Sequence, residues 1–307
     1  MPVDPGSPVP PNPWSDPQWD PRPEIIAHLT AAGRPPIGDA VCTKAWGRSC
    51  IHRVPTADGT VWVKHTYRLP PGEERVLAAL SPRWPRHVPT VVATWDRAVA
   101  MLQLPGPELT PKHRASDWVA TATRLGEITA GERRHAAEWL ALGVRDRRPG
   151  AWARAVTAML ASPVAEALDA PVRRVLDAAL ATLIARYAEG FGTATLVPQD
   201  SGCCNVALGR DGPVLFDWSD VVVGDPVYAC DRLLDQTPAA MRDAVIDAFL
   251  GPLRRTVASF KAARRLNVLH EALRYHDELA WLAPDDPAHA SLTASVQSQL
   301  TVVSRHL

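Results

Sequence analysis

LVPQDSGCCNVALGRDGPVLFDWSDVVVGDP, the stretch from Leu196 to Pro226, carries the strongest signal in this chain. It contains Asp200, then Asn205 five residues later, and Asp217 inside an apolar Phe-Asp-Trp triplet. Between Asn205 and Asp217, two short apolar runs flank the sequence Gly-Arg-Asp-Gly, which is typical of a β-hairpin. Two carboxylates and an amide around a tight hairpin are suited to positioning a hydroxyl group and holding Mg²⁺ on nucleotide phosphates.

Asp217 is the most informative of these residues because its neighbours are apolar. Burying a carboxylate without a partner or a metal is costly, so the position predicts a functional role. Asn205 alone could be an ordinary turn residue, and its spacing from Asp200 is what makes it a candidate ligand. Asp225, directly before a proline, is interpreted as a cap or brace of its loop, whereas Asp211 is interpreted as a turn residue.

The composition is that of an ordinary soluble globular protein. The chain has 307 residues, of which 46% are hydrophobic and 21% charged, and its formal net charge is zero. A neutral chain has no overall field to attract nucleic acid or an anionic membrane, so neither is expected as a partner. Its five cysteines show no zinc-ligand spacing and are expected to be reduced thiols. With no signal-like start and no apolar stretch of about 20 residues, the protein is expected to be cytoplasmic.

Residues 1–21 are rich in proline and are interpreted as an irregular N-terminal arm. Its tryptophans, Trp14 and Trp19, are predicted to pack back onto the body of the protein. A short helix is predicted from Pro23 to Ala32.

A strand-rich block follows, in which Asp58-Gly59 is typical of a hairpin turn. In the run after that turn, Trp62 and Lys64 are predicted to lie on the same strand face. A helix with acidic residues in its first turn is predicted after Pro70-Pro71-Gly72. The predicted strands are Ala40–Lys44, Cys50–Val54, Thr60–His65, Val88–Ala93 and Ala98–Leu104, and the predicted helix is Glu73–Leu80.

After Gly106 the apolar spacing changes to three and four residues, which indicates helices. In this half the hairpin before Asp217 is the only clear β signal. The predicted organisation is therefore an α+β fold with a small β-rich lobe over residues 22–105 and a larger helical lobe over residues 106–307. The predicted helices are Ala115–Ile128, Ala130–Leu142, Ala151–Ala161, about 171–189, Val268–Leu282 and Ala290–Val303.

With these motifs in order, the chain resembles the aminoglycoside phosphotransferase and choline kinase family, which has a bilobal protein-kinase-like fold. Asp200 and Asn205 stand at the spacing of the family's HGDxxxxN loop. The triplet around Asp217 resembles the family's metal-binding (I/F)DW motif, and a Gly-Asp-Pro sequence follows it at residues 224–226. Upstream, Lys64 and Glu73 resemble the family's paired lysine and glutamate, and MLQLPGPEL at residues 101–109 resembles its hinge. The resemblance spans roughly residues 24–282.

This resemblance implies a phosphotransferase that uses ATP or GTP with Mg²⁺ and a small-molecule hydroxyl acceptor. Asp200 would orient, and could deprotonate, the acceptor hydroxyl. Asn205 and Asp217 would bind Mg²⁺, while Lys64 would contact the phosphates and Glu73 would hold it. The remaining implied nucleotide-binding residues are Gly47, Arg48 and Ser49 over the phosphates, and Gln103 and Leu104 at the hinge.

The chain departs from the family pattern at Pro198, where the family has His, and at Gln199, where it has Gly. Two alternatives therefore stay open: a kinase-like pseudoenzyme or nucleotide-binding module, and a kinase of Ser or Thr hydroxyls in a peptide. The acceptor is expected on the helical lobe, where acidic residues could bind amino groups or could form surface salt bridges. The candidate substrate residues there are Glu271, His276 and Glu278.

Overall fold

The computed structural model describes residues 13–67, 72–282 and 286–307. The first part of the chain forms an antiparallel sheet in the order β1-β2-β3-β5-β4. Residues 1–12 of the arm and the predicted helix opening at Pro70-Pro71 lie outside the described residues. The strands are β1 (Val41–Trp46), β2 (Ser49–Thr56), β3 (Gly59–Thr66), β4 (Val91–Trp95) and β5 (Ala98–Leu102).

The two faces of this sheet have different roles. The Asp58-Gly59 turn joins β2 to β3 in a hairpin, as predicted, with Gly59 at φ 118°. Val61 and Val63 are fully buried in a core that includes Ile25 and Leu29 of helix α1 (Arg22–Ala31). Lys64 lies on the opposite face, which lines the cleft described below.

Helix α2 (Glu73–Leu80) connects the sheet to the rest of the molecule, and its bounds are those predicted. Val76, Leu77 and Leu80 are buried in the large core of the helical part rather than in the core around α1. The helix is thus fixed on the apolar side, and its acidic first turn lies beside the cleft.

The second part of the chain is mainly helical, and several of its helices lie within a few residues of their predicted bounds. Among the described residues, helices α3 and α9 make the most extensive helix pair, followed by α11 and α12. The helices are α3 (Ala115–Gly131), α4 (Ala136–Leu142), α5 (Pro149–Leu160), α6 (Pro163–Glu166), α7 (Ala170–Gly190), α8 (Asp231–Gln236), α9 (Arg242–Leu253), α10 (Val257–Arg264), α11 (Asn267–Leu279) and α12 (Pro287–Arg305).

The hairpin is the only clear β signal in the sequence of this half, but the structure contains further strands there. Besides the hairpin, a small sheet has the order β6-β10-β7, with β10 parallel to β6 and antiparallel to β7. Its strands are short and buried, so they show no alternation, and periodicity cannot distinguish such runs from helix. The strands are β6 (Arg145–Asp146), β7 (Thr195–Pro198), β8 (Val206–Gly209), β9 (Gly212–Leu215) and β10 (Val221–Gly224), with β8 and β9 forming the hairpin.

The predicted single helix Ala130–Leu142 is wrong, because a 3₁₀ turn at Glu132–His135 precedes α4. The Glu132 carboxylate is 1% exposed and accepts hydrogen bonds from the indoles of Trp84 and Trp139. Arg83 also donates to it, so this buried charge is well satisfied. The change of helical path brings Trp139 within reach of Glu132.

The predicted packing of the arm tryptophans is confirmed. The indole of Trp14 donates to the carbonyl oxygen of Trp46 at 2.7 Å, and the ring of Trp19 lies 5.4 Å from that of His65. In the described ranges, no helix combines the length and the apolar character that crossing a bilayer requires.

Candidate active site

The residue at the centre of the cleft is Lys64, which lies between two carboxylates. Its Nζ is 2.6 Å from Oε2 of Glu73 and 2.8 Å from Oδ1 of Asp217. Lys64 comes from β3 and Glu73 from the first turn of α2, while Asp217 follows the β8–β9 hairpin. The sequence-predicted lysine, glutamate and metal-binding aspartate therefore meet between the sheet and the helical part.

These contacts set the charges of the three groups. Burial opposes ionisation of Asp217, but attraction to Lys64 and hydrogen bonds from Lys64 and Ser219 lower its pKa to about 2. Burial alone would lower the pKa of Lys64, whereas the two carboxylates raise it above its ordinary value. Burial raises the pKa of Glu73, and Lys64 opposes that rise. At neutral pH the cleft thus presents an ammonium group and an ionised aspartate.

Asp217 has an unusual backbone conformation, with φ of 60° in the left-handed region. Asn and Asp adopt this region more readily than other non-glycine residues. The next peptide group is fixed as well, because the N–H of Trp218 donates to Oε1 of Glu73 at 2.8 Å. Ser219 donates to Oδ1 of Asp217 at 2.7 Å, so this oxygen is held by both Ser219 and Lys64.

Asp200 and Asn205 belong to the same compact loop as Asp217. The amide nitrogen of Asn205 donates to the carbonyl oxygen of Asp200 at 2.7 Å, and the Asn205 carbonyl accepts from the N–H of Phe216. The amide hydrogens are therefore used inside the loop, which leaves Oδ1 of Asn205 as the atom to bind a cation. Together with the ionised Asp217, this oxygen fits the hard-ligand preference of Mg²⁺.

The position of Asp200 follows from the β7–β10 pair. Pro198 at the end of β7 pairs with Val221, and the N–H of Gln199 donates to the carbonyl oxygen of Asp220. Continuing this register places Asp200 beside Ser219, the residue that holds the Asp217 carboxylate. Pro198 fits here because β7 is an edge strand of its sheet, where a missing N–H is tolerated.

The turn between β1 and β2 holds Gly47 and Arg48, and the Arg48 side chain extends to the helical part. The Arg48 guanidinium lies 2.8 Å from the Glu278 carboxylate and 3.4 Å from that of Asp220. At Gly47 a Cβ would approach Oδ2 of Asp286 to 3.0 Å, so a side chain there would be crowded. Ser49 is buried and its hydroxyl accepts from the indole of Trp46.

Asp220 is a functional candidate that sequence reasoning missed, and its partner Arg274 lies on α11 between Glu271 and Glu278. Asp220 is 3% exposed and Arg274 5%, and their side chains approach to 3.7 Å. Arg274 also pairs with Glu278 at 3.2 Å, which links α11 to the loop after Asp217. The sequence shows Asp220 three residues after Asp217. Its cationic partners, Arg48 and Arg274, lie far from it along the chain, so the sequence does not reveal them.

Beside Lys64 the cleft opens into a cavity of about 360 Å³, a size usual for a small-ligand site. Both predicted hinge residues line it, and Gln103 accepts a 2.5 Å hydrogen bond from the indole of Trp62. The lining is largely apolar away from the charged end. It includes Trp62, Lys64, Glu73, Met101, Gln103, Leu104, Phe216 and Asp217.

The three candidate substrate residues have different surroundings. Glu278 is 5% exposed and is paired with Arg48 and Arg274, so it does not present an open acidic surface. Burial lowers the pKa of the half-buried His276, against the opposing effect of Asp277. Glu271 lines a surface cavity, although it also pairs with Arg274 at 3.1 Å.

That surface cavity has a volume of about 460 Å³ and is linked to Asp200 through one of its lining residues, Arg232. The Nε of Arg232 lies 3.5 Å from Oδ1 of Asp200, and the Arg232 side chain lines the cavity. Its charged lining is mixed in sign, with Asp235, Lys261, Arg264, Arg265 and Glu271 as the other charged members. Arg232 was not predicted, and no motif in the sequence marks it.

Asp225 has the structural role that the sequence suggested. Its carboxylate is 1% exposed and accepts from the N–H groups of Gly192 and Val227. Arg255 completes the site at 2.7 Å. This residue therefore braces the turn after β10.

A sheet with one crossing helix, a larger helical part and a charged cleft between them define a bilobal protein-kinase-like fold. The predicted α+β fold class is confirmed. No protein-family model matches the chain, and no curated protein matches its sequence.

Solved structures share this fold along almost the whole chain. A macrolide 2'-phosphotransferase from Brachybacterium faecium, as the apoenzyme, has a TM-score of 0.64 at 20% identity and covers 89% of this chain and 97% of its own. The GDP complex of wild-type aminoglycoside 2'-phosphotransferase-IIIa has a TM-score of 0.62 at 12% identity. The match covers 92% of this chain and 99% of that one. Choline kinase from Cryptosporidium parvum has a TM-score of 0.56 at 10% identity, and the match covers 87% of this chain and 88% of that one. The fold is therefore the one that the sequence resemblance implied.

Proposed function

We propose that this protein transfers the γ-phosphoryl group of ATP or GTP to a hydroxyl group of a small molecule. The observation that carries this proposal is Lys64, held between Glu73 and Asp217 at 2.6 and 2.8 Å in a kinase-like cleft. If Lys64 had only a structural role, one carboxylate partner would be enough. Binding a nucleotide phosphate instead needs a cation, here Lys64, beside a metal-binding carboxylate, here Asp217. The fold it shares with a macrolide and an aminoglycoside phosphotransferase supports a small-molecule acceptor.

In this proposal Lys64 binds the nucleotide phosphates and Glu73 keeps its side chain directed into the cleft. The Asp217 carboxylate and Oδ1 of Asn205 would hold Mg²⁺. When bound, Mg²⁺ supplies charge neutralisation on the transferring phosphoryl group. Catalysis then depends mainly on positioning and on fixed charges, because the protein need form no covalent bond to the phosphoryl group.

Asp200 is the proposed base. The acceptor hydroxyl oxygen forms a bond to the γ-phosphorus, the bond from that phosphorus to the β–γ bridging oxygen breaks, and Asp200 receives the hydroxyl proton. Its carboxyl group is 31% exposed and faces Arg232 at 3.5 Å, so it is open to an acceptor. The cavity that Arg232 and Glu271 line is the proposed acceptor site.

The base of the nucleotide is assigned to the 360 Å³ cavity, with Gln103 and Leu104 along its edge. The backbone of Gly47, Arg48 and Ser49 would cover the phosphates. One of the structures with the same fold holds GDP, so GTP is tested beside ATP.

The experiment compares two isosteric variants with a control that carries the same change. Nucleotide with Mg²⁺ should raise the melting temperature of the wild type, and Asp217→Asn should lose the Mg²⁺-dependent part of that rise. Asp200→Asn should keep the rise and lower phosphate transfer at least about 100-fold, the lower end of the usual range for a lost general base. Asp211→Asn, in the exposed hairpin turn, should change neither.

The acceptor screen would test macrolides, aminoglycosides, amino alcohols, sugars and hydroxyl-bearing peptides, each with radiolabelled ATP and GTP. Nucleotide binding that is normal without transfer to any acceptor would reject the enzyme in favour of a nucleotide-binding module. If Asp200→Asn still transferred phosphate, Asp200 would not be the general base. Absence of any nucleotide effect on melting would reject the cleft assignment itself.

A further inference from the structure

Three potential metal ligands meet on the sheet face opposite the nucleotide cavity. Cys42 in β1 pairs with His52 in β2, and Cys50 precedes His52 by two residues, so all three side chains share one face. The Sγ atoms of Cys42 and Cys50 are 3.5 Å apart, and Sγ of Cys50 is 3.9 Å from Nδ1 of His52. All three ligand atoms lie within 4.8 Å of one another.

These separations match a metal site rather than a disulfide. Around a tetrahedral Zn²⁺, sulfur and nitrogen ligands at their normal bond lengths lie about 3.6–3.8 Å apart. A disulfide would need the two sulfur atoms at about 2.05 Å, and both Cys42 and Cys50 are free thiols. The two separations of 3.5 and 3.9 Å are close to those of ligands placed around one cation.

A candidate fourth ligand lies on the next strand, outside the group whose ligand atoms are within 4.8 Å of one another. His65 in β3 pairs directly with Cys50, which places it on the same face. It is 6% exposed, its ring centre is 5.7 Å from that of His52, and neither ring nitrogen has a hydrogen-bond partner within the described residues. A buried imidazole with no partner is costly, and binding a metal would remove that cost.

The surroundings suit a closed structural site with one point of entry. Cys50 and His52 are buried, whereas Cys42 is exposed at the sheet edge. Trp19 from the N-terminal arm covers the other side, with its ring 5.4 Å from His65 and 6.1 Å from His52.

We propose that Cys42, Cys50 and His52 bind a zinc ion, with His65 as its fourth ligand. The ion would join β1, β2 and β3, and β1 is otherwise an exposed edge strand. Because β1 and β2 carry the turn over the proposed phosphate site, the ion would stiffen that turn from the far side of the sheet. The ligand spacing, Cys-x₇-Cys-x-His-x₁₂-His, matches no common zinc motif, so only the strand register reveals the site.

The test uses the full chain, stripped of metal and kept reduced with a phosphine, and reads metal binding rather than phosphate transfer. Co²⁺ should bind with one equivalent showing sulfur-to-cobalt charge-transfer absorption, and Zn²⁺ should displace it. Cys42→Ser should weaken Zn²⁺ binding by more than about tenfold and reduce the absorption. Cys204→Ser, at an exposed cysteine away from the sheet, should leave both unchanged.

Two further variants assign the ligands. Asp217→Asn should keep the cobalt–thiolate signal, which separates this site from the proposed Mg²⁺ site. His65→Gln should change the cobalt spectrum, and an unchanged spectrum would remove His65 from the ligand set. Because Cys42 is exposed, Cys42→Ser should melt like the metal-free wild type, and Zn²⁺ should stabilise only the wild type.

The proposal fails if folded wild-type protein shows no cobalt–thiolate absorption, or if Cys42→Ser shows the same absorption as the wild type. It also fails if mass spectrometry of freshly purified, unreduced protein finds a Cys42–Cys50 disulfide and no zinc. None of these results depends on whether the chain transfers phosphate.

Discussion

Nζ of Lys64 lies 2.8 Å from Oδ1 of Asp217, although 153 residues separate them in the chain. The contact joins the sheet to the hairpin loop across the cleft, and it keeps both groups charged. Lys64→Met should therefore lower kcat/KM at least about 100-fold, as removal of a fixed charge at a reacting centre does. Steady-state kinetics with ATP and GTP would measure this loss.

The matched control is Lys112→Met, since Lys112 is exposed and lies outside the cleft. Lys64→Arg should also fail to restore activity, because a planar guanidinium does not replace a compact ammonium between two carboxylates. Full activity in Lys64→Met would contradict the role given to this contact.

Arg48 should anchor the β1–β2 turn, which is proposed to cover the nucleotide phosphates, to the helical part. Its guanidinium is buried against Glu278 and Asp220, and Arg48→Ala leaves both carboxylates with Arg274 as the remaining partner. We expect a loss of about 1–3 kcal/mol in unfolding free energy and a raised KM for nucleotide. Hydrogen exchange of residues 46–49 should become faster. Arg53→Ala, at an exposed position of the same sheet, is the control, and equal exchange rates in both variants would refute the role.

Arg232 should act on the acceptor rather than on the nucleotide. It lies 3.5 Å from the Asp200 carboxylate and lines the cavity proposed for the acceptor. Arg232→Ala is expected to raise KM for the acceptor or lower kcat, with nucleotide affinity unchanged by calorimetry. If nucleotide affinity fell instead, the assignment of the 460 Å³ cavity as the acceptor site would be wrong.

Glu74 should make stability depend on pH. Burial raises its pKa from 4.5 to about 7, so the folded state favours the protonated form. Its stabilising contribution is complete below pH 4.5 and is lost as the pH rises through about 7. Glu74→Gln stays neutral, so it should be more stable than the wild type at pH 8, by at most about 3 kcal/mol, and similar at pH 4.

Urea unfolding at the two pH values would measure this difference. Glu189→Gln, at an exposed glutamate, should show no such pH-dependent gain. An equal effect of Glu74→Gln at pH 4 and pH 8 would contradict the burial of this carboxylate.

The sequence predicts much of the fold because its local patterns agree with one another. Helix α2 begins and ends where acidic residues and apolar spacing place it, and the hairpin around residues 210–211 follows from its glycines. Lys64 could be placed on the cleft face because strand residues alternate. These features depend only on neighbours within a few positions.

What the sequence did not reveal depends on long-range packing. Strands β7 and β10 are short and buried, and the position of Asp200 depends on their pairing. Arg232 and Asp220 acquire meaning only from partners far along the chain. Similarly, Cys42 and His52 become neighbours only through strand register, which no spacing rule expresses.

The positive φ of Asp217 has a consequence for how variants at this position should be interpreted. In a saturation scan, protein abundance and enzymatic activity should follow different rules at residue 217. Abundance should favour Gly and Asn, which tolerate left-handed backbone, and should fall for Val and Ile, which do not. Activity should accept Asp alone. Asparagine is therefore the substitution that removes the charge at residue 217 while preserving the path of the chain.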